Sequence, residues 1–353
     1  TDNVFEYITL GSNDISFPSI IWEGPTPADG STISVTNVYL NTTISDQSNT
    51  SAFFDWNKTL KAYWSFENYN SSGAYDNSSF DSFGEFIGSL SISSFISGKY
   101  GNSLNFDGSG DYLNISSGVD IVGSSELTIC GWSNLNTLGL GGVDDGAIFA
   151  TSLGSSYTLL WYDFDEGYTS KDMGYSFAVG TAAGDRVNTG TGSASANVWE
   201  HVCGVMNGSN RKIYLNGILK ESKSSASATV VPTPTEGYYR IGSWGLSANF
   251  DFNGSVDEVM IVARALSPEE INASFNNGEY RLYNNFTGLA AGTYNYSAYA
   301  IDSTGNLNIS KLRNVTIILN TAPNNPTPLL TSVGGLNLTS SNLNCSSTIS
   351  DPN

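Results

Sequence analysis

Apolar and polar residues alternate in short runs along most of the chain, which is the period of a strand with one buried face. Val38, Leu40, Thr42 and Ile44 alternate with Tyr39, Asn41 and Thr43, and Tyr294, Tyr296, Ala298 and Ala300 alternate with polar or small neighbours. The pattern predicts strands over 31–35, 38–44, 53–56, 294–302 and 313–319, with extended polypeptide over 4–10 and 15–22. Gly24-Pro25-Thr26-Pro27-Ala28-Asp29-Gly30 breaks the first run, residues 320–328 form a Pro/Asn/Thr linker, and new strands begin within 336–349. One helix is predicted. Ser267 is its N-cap, Pro268 its first helical residue and Glu270 the reciprocal capping partner, with Ile271 and Phe275 on one face and Gly278 as the stop.

Between Leu60 and Tyr283 the short strands are spaced by Gly/Ser/Asn turns, as in a two-layer sandwich. The flanks on either side are too small to bury an apolar face alone. Together they supply about seven strands, the size of one Ig-like sandwich. The expected organisation is an extended segment at 1–17, a split sandwich of 18–57 plus 284–320, an inserted body at 58–283, and at 321–353 the start of a further repeat or a donor strand. An insertion of this kind is tolerated at a loop tip whose two ends leave close together.

Composition narrows the function. The 353 residues hold 14 Lys and Arg against 33 Asp and Glu, a formal net charge of −19, yet charged residues make up only 13%. The imbalance comes from missing cations, so there is no basic footprint for nucleic acid or an anionic membrane surface. No stretch reaches the ~18 apolar residues of a membrane span. Asn-X-Ser/Thr sequons recur at Asn41, Asn49, Asn57, Asn70, Asn77, Asn114, Asn207, Asn253, Asn272, Asn285, Asn295, Asn308, Asn314, Asn337 and Asn344. Each alone is weak; as a set, on a hydroxyl-rich and charge-poor chain, they lead us to expect N-linked glycans and an extracellular location.

Cys130 and Cys203 each sit mid-strand before a glycine, and an oxidising compartment favours their pairing over two buried thiols. Cys345 has no evident mate. In an Ig-like repeat its partner is expected beyond residue 353. The single histidine, His201, has no signalled nucleophile or orienting acid, so it reads as structural and no catalytic residue is assigned.

The central body resembles the laminin-G-like (concanavalin A-like) jelly roll of secreted and surface proteins. The resemblance rests on an ordered series: Ala62-Tyr63-Trp64-Ser65-Phe66-Glu67, Asp81-Ser82-Phe83-Gly84, Gly98-Lys99-Tyr100-Gly101-Asn102-Ser103-Leu104, Ile129-Cys130-Gly131-Trp132, Trp199-Glu200-His201-Val202, Ile213-Tyr214-Leu215-Asn216-Gly217, Ser255-Val256-Asp257-Glu258-Val259 and Arg264-Ala265-Leu266-Ser267-Pro268. The flanks resemble Ig-like repeats of archaeal and bacterial surface proteins, through Pro25–Ser31, Phe53-Phe54-Asp55-Trp56-Asn57 and Gly288–Asn306. The expected fold class is therefore all-β: a jelly roll inserted into an Ig-like sandwich, with partial repeats at the ends.

That resemblance implies a structural Ca²⁺ held by Glu67, Asp81 and Asp257; solvated turn carboxylates are the alternative. Asp107-Gly108-Ser109-Gly110-Asp111 reads first as a tight turn and second as a calcium loop. In Trp161-Tyr162-Asp163-Phe164-Asp165-Glu166, Asp163 and Asp165 share a strand face, but Gly167 stands where a third carboxylate would complete a glucanase set. Trp161, Tyr162, Tyr175 and Trp244 read first as ordinary packing of the sandwich and second as candidates for stacking on sugar rings. The expected function is a non-enzymatic structural or adhesive subunit of a glycosylated surface layer, stalk or filament. Its partners are copies of itself or other surface repeats, joined by strand donation from 1–22 or 321–353. A carbohydrate-binding module is the first alternative and a glycoside hydrolase the second.

Overall fold

The structure, a computed structural model, describes residues 14–138, 145–151, 157–163, 173–180, 185–234, 237–245, 250–275, 280–319, 327–332 and 343–348. It is mostly β, and its centre is a jelly-roll sandwich. One layer of the sandwich is an eight-stranded sheet. Ile218–Lys223, Asn210–Leu215, Glu200–Asn207, Glu126–Leu135, Asn253–Val262, Asn102–Asp107 and Phe95–Ser97 lie side by side, and Leu60–Trp64 also pairs with Asn253–Val262. The other layer is a nine-stranded sheet running from Arg186–Asn188 through Gly174–Gly180, Tyr157–Asp163, Gly146–Thr151, Tyr239–Ile241, Tyr112–Ile115 and Phe83–Ile87 to Gly73–Tyr75 and Tyr69–Asn70. Trp64, Phe106, Leu113, Ile129, Phe149, Tyr175 and Val259 meet between the layers and exclude water from the main core.

The flanks form a second, smaller body. Ser19–Trp22, Val38–Ser45 and Tyr280–Phe286 make one three-stranded sheet. Thr50–Trp56, Gly292–Asp302, Leu307–Ile309, Arg313–Ile317 and Ser31–Ile33 make a five-stranded sheet. Residues before the jelly roll thus pair with residues after it. Tyr280 opposes Ile44 and Phe286 opposes Val38, while Trp56 opposes Tyr296 and Thr50 opposes Asp302. The returning strand begins at Tyr280, four residues before the boundary read from the sequence. Val38, Leu40, Ile44, Phe54, Trp56, Tyr296, Ala298 and Ala300 fill the space between the two sheets, the faces that alternation selects. Trp56 lies on Phe286 with ring centroids 4.1 Å apart.

The predicted helix is Pro268–Phe275. Its capping box closes: the Glu270 N–H donates to Ser267 Oγ at 3.3 Å, and the Ser267 N–H donates to Glu270 Oε2 at 3.0 Å. Arg264 grips the same carboxylate with two donors at 2.7 Å. Its apolar positions serve two cores, with Ala273 in the flanking sandwich and Ile271 in the seam between the bodies. A separate hairpin, Thr327–Ser332 with Leu343–Thr348, exposes Leu329, Leu330 and Cys345.

Candidate functional site

Alternation along Tyr157–Asp163 sends Tyr162 inward and Trp161 and Asp163 outward. Tyr162 is 1% exposed and packs edge-on to Tyr175, itself fully buried, inside the main core. The Tyr175 hydroxyl donates to Glu200 Oε2 and shares a hydrogen bond with the Ser133 hydroxyl, both at 3.0 Å. Both tyrosines are thus spent on the core and cannot stack on a sugar, which corrects that expectation. Trp161 is also buried, on the outer face among Ala147, Ala150, Leu159 and Ala178, with half-buried Trp244 against it. Asp163 is buried as well. Its Oδ2 accepts from Ser176 Oγ at 2.7 Å and from Arg186 Nη1 at 2.8 Å. A carboxylate neutralised in this way is a brace for three neighbouring strands. Asp165 and Glu166 lie outside the described residues.

The three carboxylates expected to hold calcium do not form one cage. Asp257 is fully buried, and its Oδ2 accepts the N–H groups of Lys99 (2.9 Å) and Tyr100 (3.0 Å). Glu67 accepts from the Asn102 backbone N–H and from Asn102 Nδ2 at 2.8 Å. Both acids brace the turn at 98–102. Asp81 stands exposed with φ 51° in the Asp-Ser-Phe-Gly loop. Among the described residues, two groups bring three Cys, His or acidic ligand atoms within 4.8 Å of one another. They are Cys130–His201–Cys203 and Asp14–Asp46–Asp302; Glu67, Asp81 and Asp257 form no such group. Asp257 Oδ1 is buried without a hydrogen bond, but one orphan oxygen outside any such group does not meet the six to eight oxygens of Ca²⁺. Asp76, nearby in sequence, takes the N–H groups of Tyr63, Ser78 and Ser82 and holds its loop shut.

Cys130 and Cys203 face each other across adjacent antiparallel strands and are joined in a disulfide. In the first group the sulfurs are therefore spent on each other. His201 lies against them, its ring between Trp132 (5.1 Å) and Phe275 (6.1 Å), with Ser274 Oγ at 3.5 Å from Nε2. Burial, and then the Lys99 cation, lower its pKa to about 3, so it stays neutral at ordinary pH. Beside it a cavity of about 10 Å³, lined by Tyr63, His201, Glu258 and Ser274 among others, has room for one water. Burial first, and Asp257 next, push the Glu258 carboxyl well above the usual range. Tyr63 donates its hydroxyl to Glu258 Oε2.

This buried region is the seam between the two bodies; its cysteines and His201 stand out in the sequence, but the contact between the bodies does not. Phe53 and Tyr299 stack 5.0 Å apart, and Tyr63 of the jelly roll meets Phe53 edge-on at 5.0 Å. Ile301 joins Tyr100 and Trp132 in an adjoining cluster. Two turns touch beside it: a Cβ added at Gly305, where φ is +89°, would lie 3.0 Å from Gly101 Cα and 2.7 Å from Glu67 Cδ. The available signal was two-sided apolarity. Gly292–Asp302 carries Tyr296, Ala298 and Ala300 on one face and Tyr299 and Ile301 on the other, which marks a strand covered on both sides.

The sequons divide by accessibility. Asn41 is 1% exposed and its Nδ2, the atom a glycan would occupy, donates to the Gly24 carbonyl at 2.9 Å. That removes Asn41 from the glycan set of the folded protein. Asn70 and Asn308 also use Nδ2, toward Tyr75 Oη (2.6 Å) and the Pro18 carbonyl (2.7 Å). Asn77 and Asn253 accept through Oδ1, and Asn272 lies within the helix. Asn114, Asn295 and Asn314 are half-buried, and Asn49, Asn57, Asn207 and Asn285 are exposed. Asn337 and the Asn344 side chain lie outside the described residues.

Residues 107–272 match the family profile described as the Concanavalin A-like lectin/glucanases superfamily, a laminin-G-like group. The match falls within the jelly-roll portion of the chain and agrees with the resemblance that its motifs carry. No curated protein matches the chain. Among solved structures, domain 4 of an extracellular GH43 arabinanase from Geobacillus stearothermophilus, in complex with arabinotriose, is 18% identical with a TM-score of 0.44, covering 64% of this chain and 100% of that one. The botulinum neurotoxin serotype D/C binding domain is 14% identical with a TM-score of 0.46, covering 62% and 52%. A Trypanosoma rangeli sialidase is 18% identical with a TM-score of 0.41, covering 62% and 32%. The chain spans about half the length of the toxin binding domain. Among the described residues no helix is long and apolar enough to cross a membrane.

Proposed function

We propose that this chain is a non-enzymatic structural and adhesive module of an extracellular, glycosylated surface assembly. The observation that carries the reading is the seam. Phe53, Tyr63, Tyr299 and Ile301 weld an Ig-like sandwich of the flanking residues to the jelly roll, so the two bodies present one stiff unit. The acid on the outer strand supports the same reading, because Asp163 is tied to Arg186 and Ser176. N-linked glycans at the exposed Asn49, Asn57, Asn207 and Asn285 supply solubility where cations are scarce. Assembly with further copies proceeds by strand addition. Ser19–Trp22 is bound into the flanking sandwich through Val38–Ser45, whereas among the described residues Thr327–Ser332 and Leu343–Thr348 pair only with each other and leave Leu329 and Leu330 exposed, so the proposed donor is this hairpin.

One observation favours a second reading, carbohydrate binding. On the outer face of the nine-stranded sheet the half-buried Tyr112 and Tyr238 rings flank the Arg240 guanidinium, itself buried, at 4.4 Å and 5.2 Å. The purified chain, examined by electron microscopy over a concentration series and on a glycan array, separates the two. Linear assemblies that are lost when residues 327–348 are deleted, with no glycan retained, are expected. A retained glycan released by Tyr112→Ala, or turnover of a β-glucan, overturns the structural reading.

A further inference from the structure

The chain crosses the flanking sandwich twice, and the pairing of its two passes decides which parts of the molecule carry tension. Ser31–Ile33, from the first pass, lies parallel to Arg313–Ile317, from the last, with Ser31 opposite Val315 and Ile33 opposite Ile317. The Gly30 N–H donates to the Asn314 carbonyl and the Ile318 N–H donates to the Ile33 carbonyl, both at 2.9 Å. Asp29 extends the contact: its Oδ1 accepts the Asn314 N–H at 3.1 Å and its Oδ2 faces Lys311 Nζ at 3.5 Å. The Tyr296 hydroxyl donates to the Pro27 carbonyl at 2.9 Å. Once Ser19–Trp22 is drawn off Val38–Ser45, pulling Ser31–Ile33 toward its amino end and Arg313–Ile317 toward its carboxyl end slides these parallel strands along their common axis. The bridging hydrogen bonds are then loaded together instead of one after another.

The jelly roll is attached elsewhere. The chain leaves the sandwich after Trp56 and re-enters it at Tyr280, on strands held along their lengths by Tyr296–Asp302 and by Val38–Ile44. Tension between residues 19 and 319 therefore runs through the sandwich and bypasses residues 58–279. We propose that the flanking sandwich is the load-bearing element of this protein and that the jelly roll is a sheltered side body, stretched only after the sandwich opens. This deepens the structural reading and rests on it for its biological meaning. Inside the jelly roll the Cys130–Cys203 bond, with a sequence separation of 73, keeps that loop out of the load path even after the body opens.

The test is single-molecule stretching of the full chain with handles at Ser19→Cys and Leu319→Cys in a Cys345→Ser background. Two successive events are expected. The first releases about 80 residues, roughly 270 Å of chain, and the second about 150 residues, roughly 500 Å. A reductant lengthens only the second event, by roughly 250 Å. Asp29→Ala, at an exposed position, lowers the force of the first event and leaves the second unchanged. A long event before the short one, a single event releasing both bodies, or a reductant effect on the first event overturns the proposal. Glycan retention on the array would instead defeat the structural reading and leave this order of events intact.

Discussion

The two cores reach similar burial by different routes. In the jelly roll many paired strands are near neighbours in sequence, as Glu200–Asn207 is of Asn210–Leu215, and a disulfide ties Glu126–Leu135 to Glu200–Asn207. In the flanking sandwich the decisive pairs are far apart. Thr42 Oγ1 donates to the Leu282 carbonyl 240 residues away. Closing a flexible loop of that length is costly in entropy, though the cost grows only slowly with length. A folded jelly roll whose ends leave together replaces that flexible loop with a compact one. The difference teaches that the sandwich depends on the inserted body, whereas the inserted body carries its own staples.

The disulfide gives the sharpest way to break this contrast. Cys130→Ala with Cys203→Ala is expected to cost the jelly roll about 4 kcal/mol on the chain-entropy account of a closed loop. Denaturant unfolding followed by Trp fluorescence should then show one shared transition at a lower midpoint. A sandwich that keeps its midpoint would show that its stability is independent of the insertion. Next in size is the seam. Tyr299→Ala removes a buried ring from between the bodies and should cost about 3 kcal/mol. It should also split one calorimetric transition into two, and a single unbroken transition would mean that the seam does not couple the bodies.

The buried acids sharpen the comparison through pH. Glu258 and Asp257 have pKa values well above the ordinary range, because burial penalises the charged form. Ionisation therefore favours the unfolded chain. Their contribution is fully present below the ordinary carboxylate pKa and is lost as pH rises toward the folded-state value. Tm should fall as pH is raised through that window, and Glu258→Gln should flatten the fall, with a gain of about 1 kcal/mol at alkaline pH. A variant with the wild-type pH profile would place the titration elsewhere. The smallest effect is expected at Asp81. It is exposed at φ 51°, a conformation Asn accepts, so Asp81→Asn should leave Tm unchanged with or without calcium. A calcium-dependent shift in wild type that disappears in this variant would restore Asp81 as a ligand.

Much of the architecture could be read before any coordinates. The Ser267–Glu270 box and the run Val38, Leu40, Ile44 behave as local rules require, because capping and strand alternation are satisfied within a few residues. The site residues were less readable. Glu67 and Asp257 share the acidic character of ion ligands, yet both accept backbone donors of one turn. Composition does not distinguish an oxygen that faces an ion from one that faces an N–H.

Periodicity and turn residues thus settled the all-β class and the sandwich layers, since each follows from interactions within a strand or between near neighbours in the chain. Only the folded arrangement decided that Tyr299 and Phe53 are covered, that Asn41 is closed to modification, and that Trp161 and Tyr175 pack rather than wait for a ligand. These outcomes depend on which second surface arrives against a given face. That surface comes from another stretch of chain, and no local pattern encodes its approach.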